Sequence, residues 1–187
     1  VEERLAHFLR YEKLKGFRHI VQSEPPGFLM DKLFIEGVKK LQQFGFTYDL
    51  LVYHHQMDEA LHFLKCVEDV KIVIDHLAKP AIKSGESAGW RSDMISAASF
   101  PNVFCKISGM VTEAHWGRWE ESDFRPYLDN VLEAFGPDRI MYGSDWPVCL
   151  LAATYEQQLQ VILNYISRLS AREKQQVMGE NAKRFYN

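Results

Sequence analysis

Five short apolar segments recur along the chain, and each is followed by polar or turn residues and then by a stretch of helical periodicity. The apolar segments are 17–21, 48–53, 71–75, 103–107 and 139–143. Their starts lie roughly 23 to 36 residues apart, which is the length of a strand–helix–strand unit. Parallel strands joined by right-handed connections form an open doubly wound sheet or a (β/α)8 barrel. The spacing therefore predicts an α/β fold with a parallel sheet.

The segments between the predicted strands carry the helical pattern. They are 31–44, 58–67, 90–99 and 123–135. Two capping-box patterns, Thr154 with Gln157 and Ser170 with Glu173, predict two further helices near the C-terminus. No phosphate-binding glycine pattern follows a strand, which disfavours a nucleotide-binding fold. No composition shift or interdomain linker divides the chain, so we predict one domain over residues 1–187.

Composition narrows the class of partner. The formal net charge is −3 and no basic cluster occurs, which argues against nucleic acid and anionic membranes as partners and favours a small-molecule substrate. No apolar run reaches the roughly 20 residues that span a bilayer. Cys66, Cys105 and Cys149 lack metal-knuckle spacing and are interpreted as reduced thiols, which predicts a cytoplasmic protein. A homo-oligomer is compatible with this composition.

One aspartate follows an apolar strand directly. Segment 139–148 leads from the last predicted strand into Asp145 and is then stopped by Trp146 and Pro147. Gly143 shares a strand face with Asp145 and leaves room for a metal ion, water or substrate beside the carboxylate. The pattern alone fits a helix-capping or turn aspartate equally well.

Parallel strands bring their carboxyl ends to one rim, where chemistry is usually built in α/β folds. The polar residues predicted at this rim are Gln22, Glu24, His54, His55, His76, Lys106, Ser108 and Asp145. A carboxylate and imidazoles around one pocket can hold a divalent metal ion such as zinc. A carboxylate that is not a ligand can act as a general base.

Each of these residues also has a structural interpretation. Three aliphatic residues lead directly to His76, which favours a functional role over a hydrogen-bonded histidine under a loop. Neighbouring strand residues face opposite ways, so at most one of His54 and His55 is predicted to face the site. Glu24 precedes two prolines and fits a metal site and a solvated surface equally. Four histidines are interpreted as structural: His7, His19, His62 and His115.

Tryptophans near the rim are most often packing residues. Trp116 and Trp119 are interpreted in this way. Trp146 is a stronger candidate for a substrate contact, because it directly follows Asp145.

Six segments, in order along nearly the whole chain, resemble the amidohydrolase-related family. They are 16–25 (GFRHIVQSEP), 48–52 (YDLLV), 75–80 (DHLAKP), 102–109 (NVFCKISG), 112–116 (TEAHW) and 141–147 (MYGSDWP). The resemblance is strongest to the sugar-lactone hydrolase branch, which includes L-fuconolactone, L-rhamnonolactone and 2-pyrone-4,6-dicarboxylate hydrolases.

The resemblance implies a (β/α)8 barrel of which this chain carries about the last five strands. On that mapping the single domain at 1–187 lacks the first three strands and the family's His-x-His pair, a pattern that this sequence does not contain. Asp145 would be the base that activates water, and His76 a metal ligand or a carbonyl-polarising group. Glu24 would lie near the metal ion.

The same resemblance assigns the substrate contacts. The loop that ends at Trp116 would cover the substrate, with His54 and Trp146 as further contacts. The predicted function is hydrolysis of a small sugar-acid lactone by water that Asp145 activates. Two alternatives remain open, a metal-dependent decarboxylase with the same fold and a non-catalytic truncated product.

Overall fold

The computed structural model describes residues 1–187 and contains five strands that alternate with helices. The strands are β1 Gly16–Ile20, β2 Thr47–Leu51, β3 Ile72–Ile74, β4 Val103–Ile107 and β5 Ile140–Tyr142. The helices are α1 Glu2–Phe8, α2 Lys32–Gln43, α3 Met57–Cys66, α4 Ala88–Ala98, α5 Glu121–Phe135, α6 Tyr155–Ile166, α7 Ala171–Gln175 and α8 Asn181–Tyr186. All five predicted strands and the helices between them are confirmed.

The strands form one parallel sheet in the order β1-β2-β3-β4-β5. Each neighbouring pair is joined by a crossover that contains a helix, as parallel pairing requires. The α/β prediction is confirmed, and the carboxyl ends of all five strands meet at one rim. Closure into an eight-stranded barrel, and the single truncated domain, stay predictions.

The two faces of the sheet have different chemistry. Leu50, Ile74 and Cys105 lie in register on one face and belong to a core of 42 buried residues that includes the helices. The opposite face carries Arg18 and Asp49, which are also paired in register. On this second face, the C-terminal helix α8 packs through Phe185 and Tyr186 against apolar strand residues. The second face therefore combines charged strand residues with the apolar contacts of the C-terminal helix.

Local sequence signals fix the ends of the C-terminal helices. The hydroxyl of Thr154 accepts a hydrogen bond from the Gln157 amide at 3.2 Å, and that of Ser170 accepts one from the Glu173 amide at 3.3 Å. Each capping side chain satisfies an amide that has no partner within its helix. Both predicted capping boxes are confirmed.

The cysteines Cys66, Cys105 and Cys149 are free, as predicted. None of the helices combines the length and the apolar character needed to cross a membrane.

Candidate active site

Three side chains from neighbouring strand ends meet at the rim. His76 follows β3, Ser108 follows β4 directly, and Asp145 lies just beyond β5. Nδ1 of His76 is 2.8 Å from Oγ of Ser108, and Nε2 is 3.4 Å from Oδ1 of Asp145. We call these three residues the rim centre.

The backbone after β3 turns sharply to present His76. Residues His76, Leu77, Ala78 and Lys79 all adopt the left-handed conformation, with φ between 50° and 55°. This conformation costs roughly 1–2 kcal/mol per non-glycine residue, so a run of four needs compensation from surrounding contacts. Buried Trp90 supplies one such contact, because its indole N–H donates to the Leu77 carbonyl at 2.7 Å.

Lys79 holds the other end of this turn. Its Nζ lies 2.9 Å from Oε1 of Glu113 and 3.1 Å from Oγ1 of Thr112. Its backbone carbonyl lies 2.8 Å from Nδ1 of His54. Lys79 therefore ties the His76 turn to two other loops of the rim.

Two glycines allow the rim centre to pack closely. A Cβ added at Gly109 would lie 2.8 Å from Cβ and Cγ of His76. One added at Gly143 would lie 3.1 Å from Cβ of Ser108. The space left by Gly143 was predicted to lie beside Asp145, whereas in the structure Ser108 lies against it.

The rim centre is buried and incompletely paired. The side chains of His76 and Asp145 are only 12% and 9% exposed. Burial lowers the pKa of His76, and the carboxylates of Asp75 and Asp145 offset only part of this effect, so the imidazole is neutral near neutral pH. Oδ2 of Asp145 is buried and has no hydrogen-bond partner in the protein. An unpaired buried carboxylate oxygen is costly, and such atoms are typical of reactive sites.

A second group of polar side chains lies nearer the middle of the strands. We call it the charge network: Arg18, Asp49, Asp75, Lys106 and Tyr186. Lys106 lies 2.5 Å from Asp49 and 2.8 Å from Asp75, and Arg18 lies 3.1 Å from Asp75. The Tyr186 hydroxyl lies 2.8 Å from Oδ2 of Asp49. Burial alone would lower the pKa of Lys106, but Asp75 and Asp49 outweigh burial and raise it.

The charge network corrects the prediction that Lys106 lies at the rim. Its ammonium group instead contacts Asp49 and Asp75 and is not part of the rim centre. Sequence reasoning missed Asp49 and Asp75 as its partners. A signal was present, because Asp49 and Lys106 are charged residues inside apolar strands. Pairing them required the strand register.

A large open cavity of about 1020 Å³ lies at the rim beside the Lys79 contacts. Its lining residues include Tyr53, His54, His55, Lys83, His115, Trp116 and Arg118. Both His54 and His55 line it, which corrects the prediction of at most one. The reason is that β2 ends at Leu51 and the two histidines lie in a 3₁₀ turn, where side chains do not alternate. His115, interpreted as structural, also lines the cavity.

Glu24 and Trp146 lie apart from these features. Nε2 of His19, which was interpreted as structural, contacts Oε1 of Glu24 at 2.7 Å. A 3₁₀ turn over Val21–Ser23 reverses the chain after β1 and brings Glu24 back onto that strand. Trp146 is 63% exposed and is not among the residues that line the cavity.

A divalent metal ion finds two donors at the rim centre. Nε2 of His76 and the carboxylate of Asp145 suit zinc, and the unpartnered Oδ2 is an atom that a cation would satisfy. Catalytic zinc sites use three protein ligands. No group of three or more His, Cys, Asp or Glu side chains in the chain is placed to hold a metal ion. The rim centre therefore supplies two of the three protein ligands of such a site.

Comparison with known proteins agrees with this architecture. The sequence profile described as amidohydrolase matches residues 1–187. The chain is 41% identical to L-fucono-1,5-lactonase of Burkholderia multivorans over 98% of this chain and 66% of that protein. It is 28% identical to L-rhamnono-gamma-lactonase of Scheffersomyces stipitis over 76% of this chain and 48% of that protein. It therefore spans between about half and two thirds of the length of these relatives.

Solved structures give the same match. Crystal structures of an amidohydrolase from Burkholderia multivorans, one with bound HEPES and one with bound zinc, superpose with a TM-score of 0.93 at 41% identity. The match covers 98% of this chain and 68% of that one. Sequence profile, relatives and fold agree, and the chain belongs to the amidohydrolase family.

Proposed function

We propose that the rim centre is the catalytic centre of a hydrolase that opens a small sugar-acid lactone. The observation that carries the proposal is the buried carboxylate of Asp145, whose Oδ2 has no hydrogen-bond partner, beside the imidazole of His76. Two lactonases among the relatives of this chain support the substrate class.

In this mechanism Asp145 acts as the general base. A water molecule placed against Oδ2 attacks the lactone carbonyl carbon and gives its proton to the carboxylate. Collapse of the tetrahedral intermediate breaks the ring C–O bond, and Asp145 returns the proton to the departing ring oxygen. The product is the open hydroxy acid.

His76 stabilises the negative charge that develops on the carbonyl oxygen. Its side chain is 12% exposed, so a hydrogen bond from it acts where water competes weakly. The left-handed turn fixes the ring before substrate arrives, which avoids the cost of reorganising it during the reaction.

A divalent metal ion would be held in part by His76 and Asp145, and Glu24 is not gathered with them. A metal ion on Nε2 would take the place of the proton there, so His76 donates to the carbonyl oxygen only when no metal ion is bound. When bound, such an ion polarises the carbonyl and lowers the pKa of a bound water.

The large rim cavity is not lined by the rim-centre residues, but it is joined to the His76 turn through the contacts of Lys79 with Thr112 and Glu113, and it would hold the polyol part of the substrate. Trp116 is 56% exposed and offers an aromatic face to a sugar ring, while His54 can hydrogen-bond to hydroxyl groups. Lys83 and Arg118 add positive charge, which suits the carboxylate of the product.

Lactone opening by the purified protein tests this proposal, because each turnover releases an acid that a pH indicator detects. Asp145→Asn should lower kcat/KM by about 10²–10⁴-fold, the usual contribution of a general base. Asp123→Asn is the matched control, since this carboxylate accepts from the Glu120 amide at the start of α5 and lies outside the rim centre. Unchanged turnover in Asp145→Asn would overturn the proposal, and carbon dioxide release without lactone opening would favour a decarboxylase.

A further inference from the structure

The contact between Ser108 and His76 bears on which ring nitrogen carries the proton. The proposed function needs His76 to donate a hydrogen bond towards the rim, and only an imidazole with its proton on Nε2 can do so. Nδ1 lies against Oγ of Ser108, at 2.8 Å.

We propose that Ser108 is a positioning residue whose hydroxyl group donates a hydrogen bond to Nδ1 and so holds His76 in the Nε2–H tautomer. Nε2–H then lies on the side of Asp145, whose Oδ1 is 3.4 Å away without forming a hydrogen bond. Oδ2 is left as the oxygen that takes a proton from water. This role for Oδ2 rests on the proposed function, whereas the tautomer itself does not.

The Ser108 hydroxyl needs a hydrogen-bond acceptor, and this need is the first reason to infer the Nε2–H tautomer. Ser108 is only 3% exposed, and Nδ1 is the only protein atom with which its Oγ forms a hydrogen bond. A hydroxyl group can donate one hydrogen bond, and Nδ1 can accept it when the ring proton is on Nε2. With the proton on Nδ1 instead, the hydroxyl would accept and its own proton would have no acceptor in the protein.

Electrostatics at the other nitrogen is the second argument. If Nδ1 carried the proton, the lone pair of Nε2 would face a carboxylate oxygen at 3.4 Å. Both atoms are electron-rich and would repel each other in the metal-free protein. The Nε2–H tautomer replaces this repulsion with attraction.

Rigid packing is the third argument, since it prevents the ring from turning away. Gly109 lies against Cβ and Cγ of His76, and Gly143 lies against Cβ of Ser108, both too closely for a larger residue to fit without movement. The left-handed backbone of His76 fixes the direction of its side chain. Ser108 and His76 are therefore held as a pair.

Nitrogen NMR measures the tautomer directly. Protein labelled with ¹⁵N-histidine and freed of metal by a chelator is recorded near neutral pH, and the His76 signals are identified by their loss in His76→Gln. We expect Nε2 to carry the proton in the wild type. Ser108→Ala should move a measurable share of the proton to Nδ1, while near-UV circular dichroism confirms that the fold is retained.

Ser144→Ala is the control, because the Ser144 hydroxyl accepts from the Trp146 amide and does not contact His76. It should leave the tautomer unchanged. A wild-type His76 with its proton on Nδ1 overturns this inference, and so does an unaltered tautomer in folded Ser108→Ala. If Ser108→Ala does not fold, the wild-type spectrum alone decides. A wild-type proton on Nδ1 would also remove the proposed hydrogen bond from His76 to the carbonyl oxygen, whereas the general-base role of Asp145 is tested separately by turnover in Asp145→Asn.

Discussion

The rim centre and the charge network both contain aspartates that are mostly buried, yet they differ in whether a cation lies against the carboxylate. In the network, Asp75 contacts two cations, and Asp49 contacts Lys106 and the Tyr186 hydroxyl. In the rim centre, Asp145 has only the long contact to His76, and its Oδ2 has none. Burial of charge alone therefore does not mark the reactive site.

This difference predicts how much each group contributes to the free energy of unfolding. Asp75 Oδ1 has no hydrogen bond either, but Lys106 lies 2.8 Å from it, and removing one member of a buried ion pair is strongly destabilising because the other charge is left uncompensated. An incompletely paired carboxylate contributes little to folding and remains available to bind a proton or a cation. Four substitutions test this contrast, and they are ordered by their expected effect on stability.

Asp75→Asn should have the largest effect. It removes the negative charge that Arg18 and Lys106 share, and we expect the free energy of unfolding to fall by about 3–5 kcal/mol. Urea unfolding measures this. Asp129→Asn is the control, because its partner Arg168 and Asp129 itself are both more than 40% exposed and the pair is worth at most about 1 kcal/mol. A similar small loss in both variants would show that the network is not structural.

Lys79→Met should cost less, about 1–2 kcal/mol, because Glu113 is partly exposed and regains water when its partner is lost. We expect a larger effect on catalysis, since the turn that presents His76 loses its tie to the Thr112–Glu113 loop. Thermal unfolding and lactone turnover should be measured together. Turnover that falls no more than the folded fraction would contradict the link.

Gly109→Ala should destabilise the protein by about 1–2 kcal/mol, since φ at this position is +62° and the new Cβ would press on His76. Gly117→Ala separates the two causes, because Gly117 has φ +71° and no atom within 4 Å of an added Cβ. Gly109→Ala should lose more stability than Gly117→Ala, because it adds the contact with His76 to a similar backbone cost, and only Gly109→Ala should lose turnover. Equal turnover in the two would show that the close packing of His76 is unimportant.

Asp145→Asn should have the smallest effect on stability, within about 1 kcal/mol, because it removes a charge that has almost no partner. Chemical denaturation of the variant measures it against the wild type. A loss as large as that of Asp75→Asn would remove the distinction between the two groups.

Elements built from local signals were predicted well from the sequence. The apolar runs gave the five strands, and Thr154 and Ser170 gave the starts of two helices, because each depends on neighbours a few residues away. The rim as a meeting place for His76, Ser108 and Asp145 followed from parallel pairing alone. Their distances did not, because contact between His76 and Ser108 spans 32 residues and depends on register.

Errors arose where a short turn replaced the expected continuation of a strand. The 3₁₀ turn after β2 put His54 and His55 on one cavity wall, and the turn after β1 returned Glu24 to His19. Neither turn has a glycine or proline within it to signal it. The charge network was missed for the same reason as the contact distances, since its members come from three strands, a strand end and the last helix.

The packing of α8 on the polar sheet face also has a consequence for biosynthesis. The Tyr186 hydroxyl that contacts Asp49 is made 137 residues after its partner. Because the ribosome builds the chain from its amino end, Asp49, Lys106 and the apolar residues that meet Phe185 are synthesised well before the helix that covers them. That face of the sheet stays exposed until α8 has been synthesised. A pause in translation before α8 therefore prolongs the time in which the exposed face can bind chaperones or misassemble.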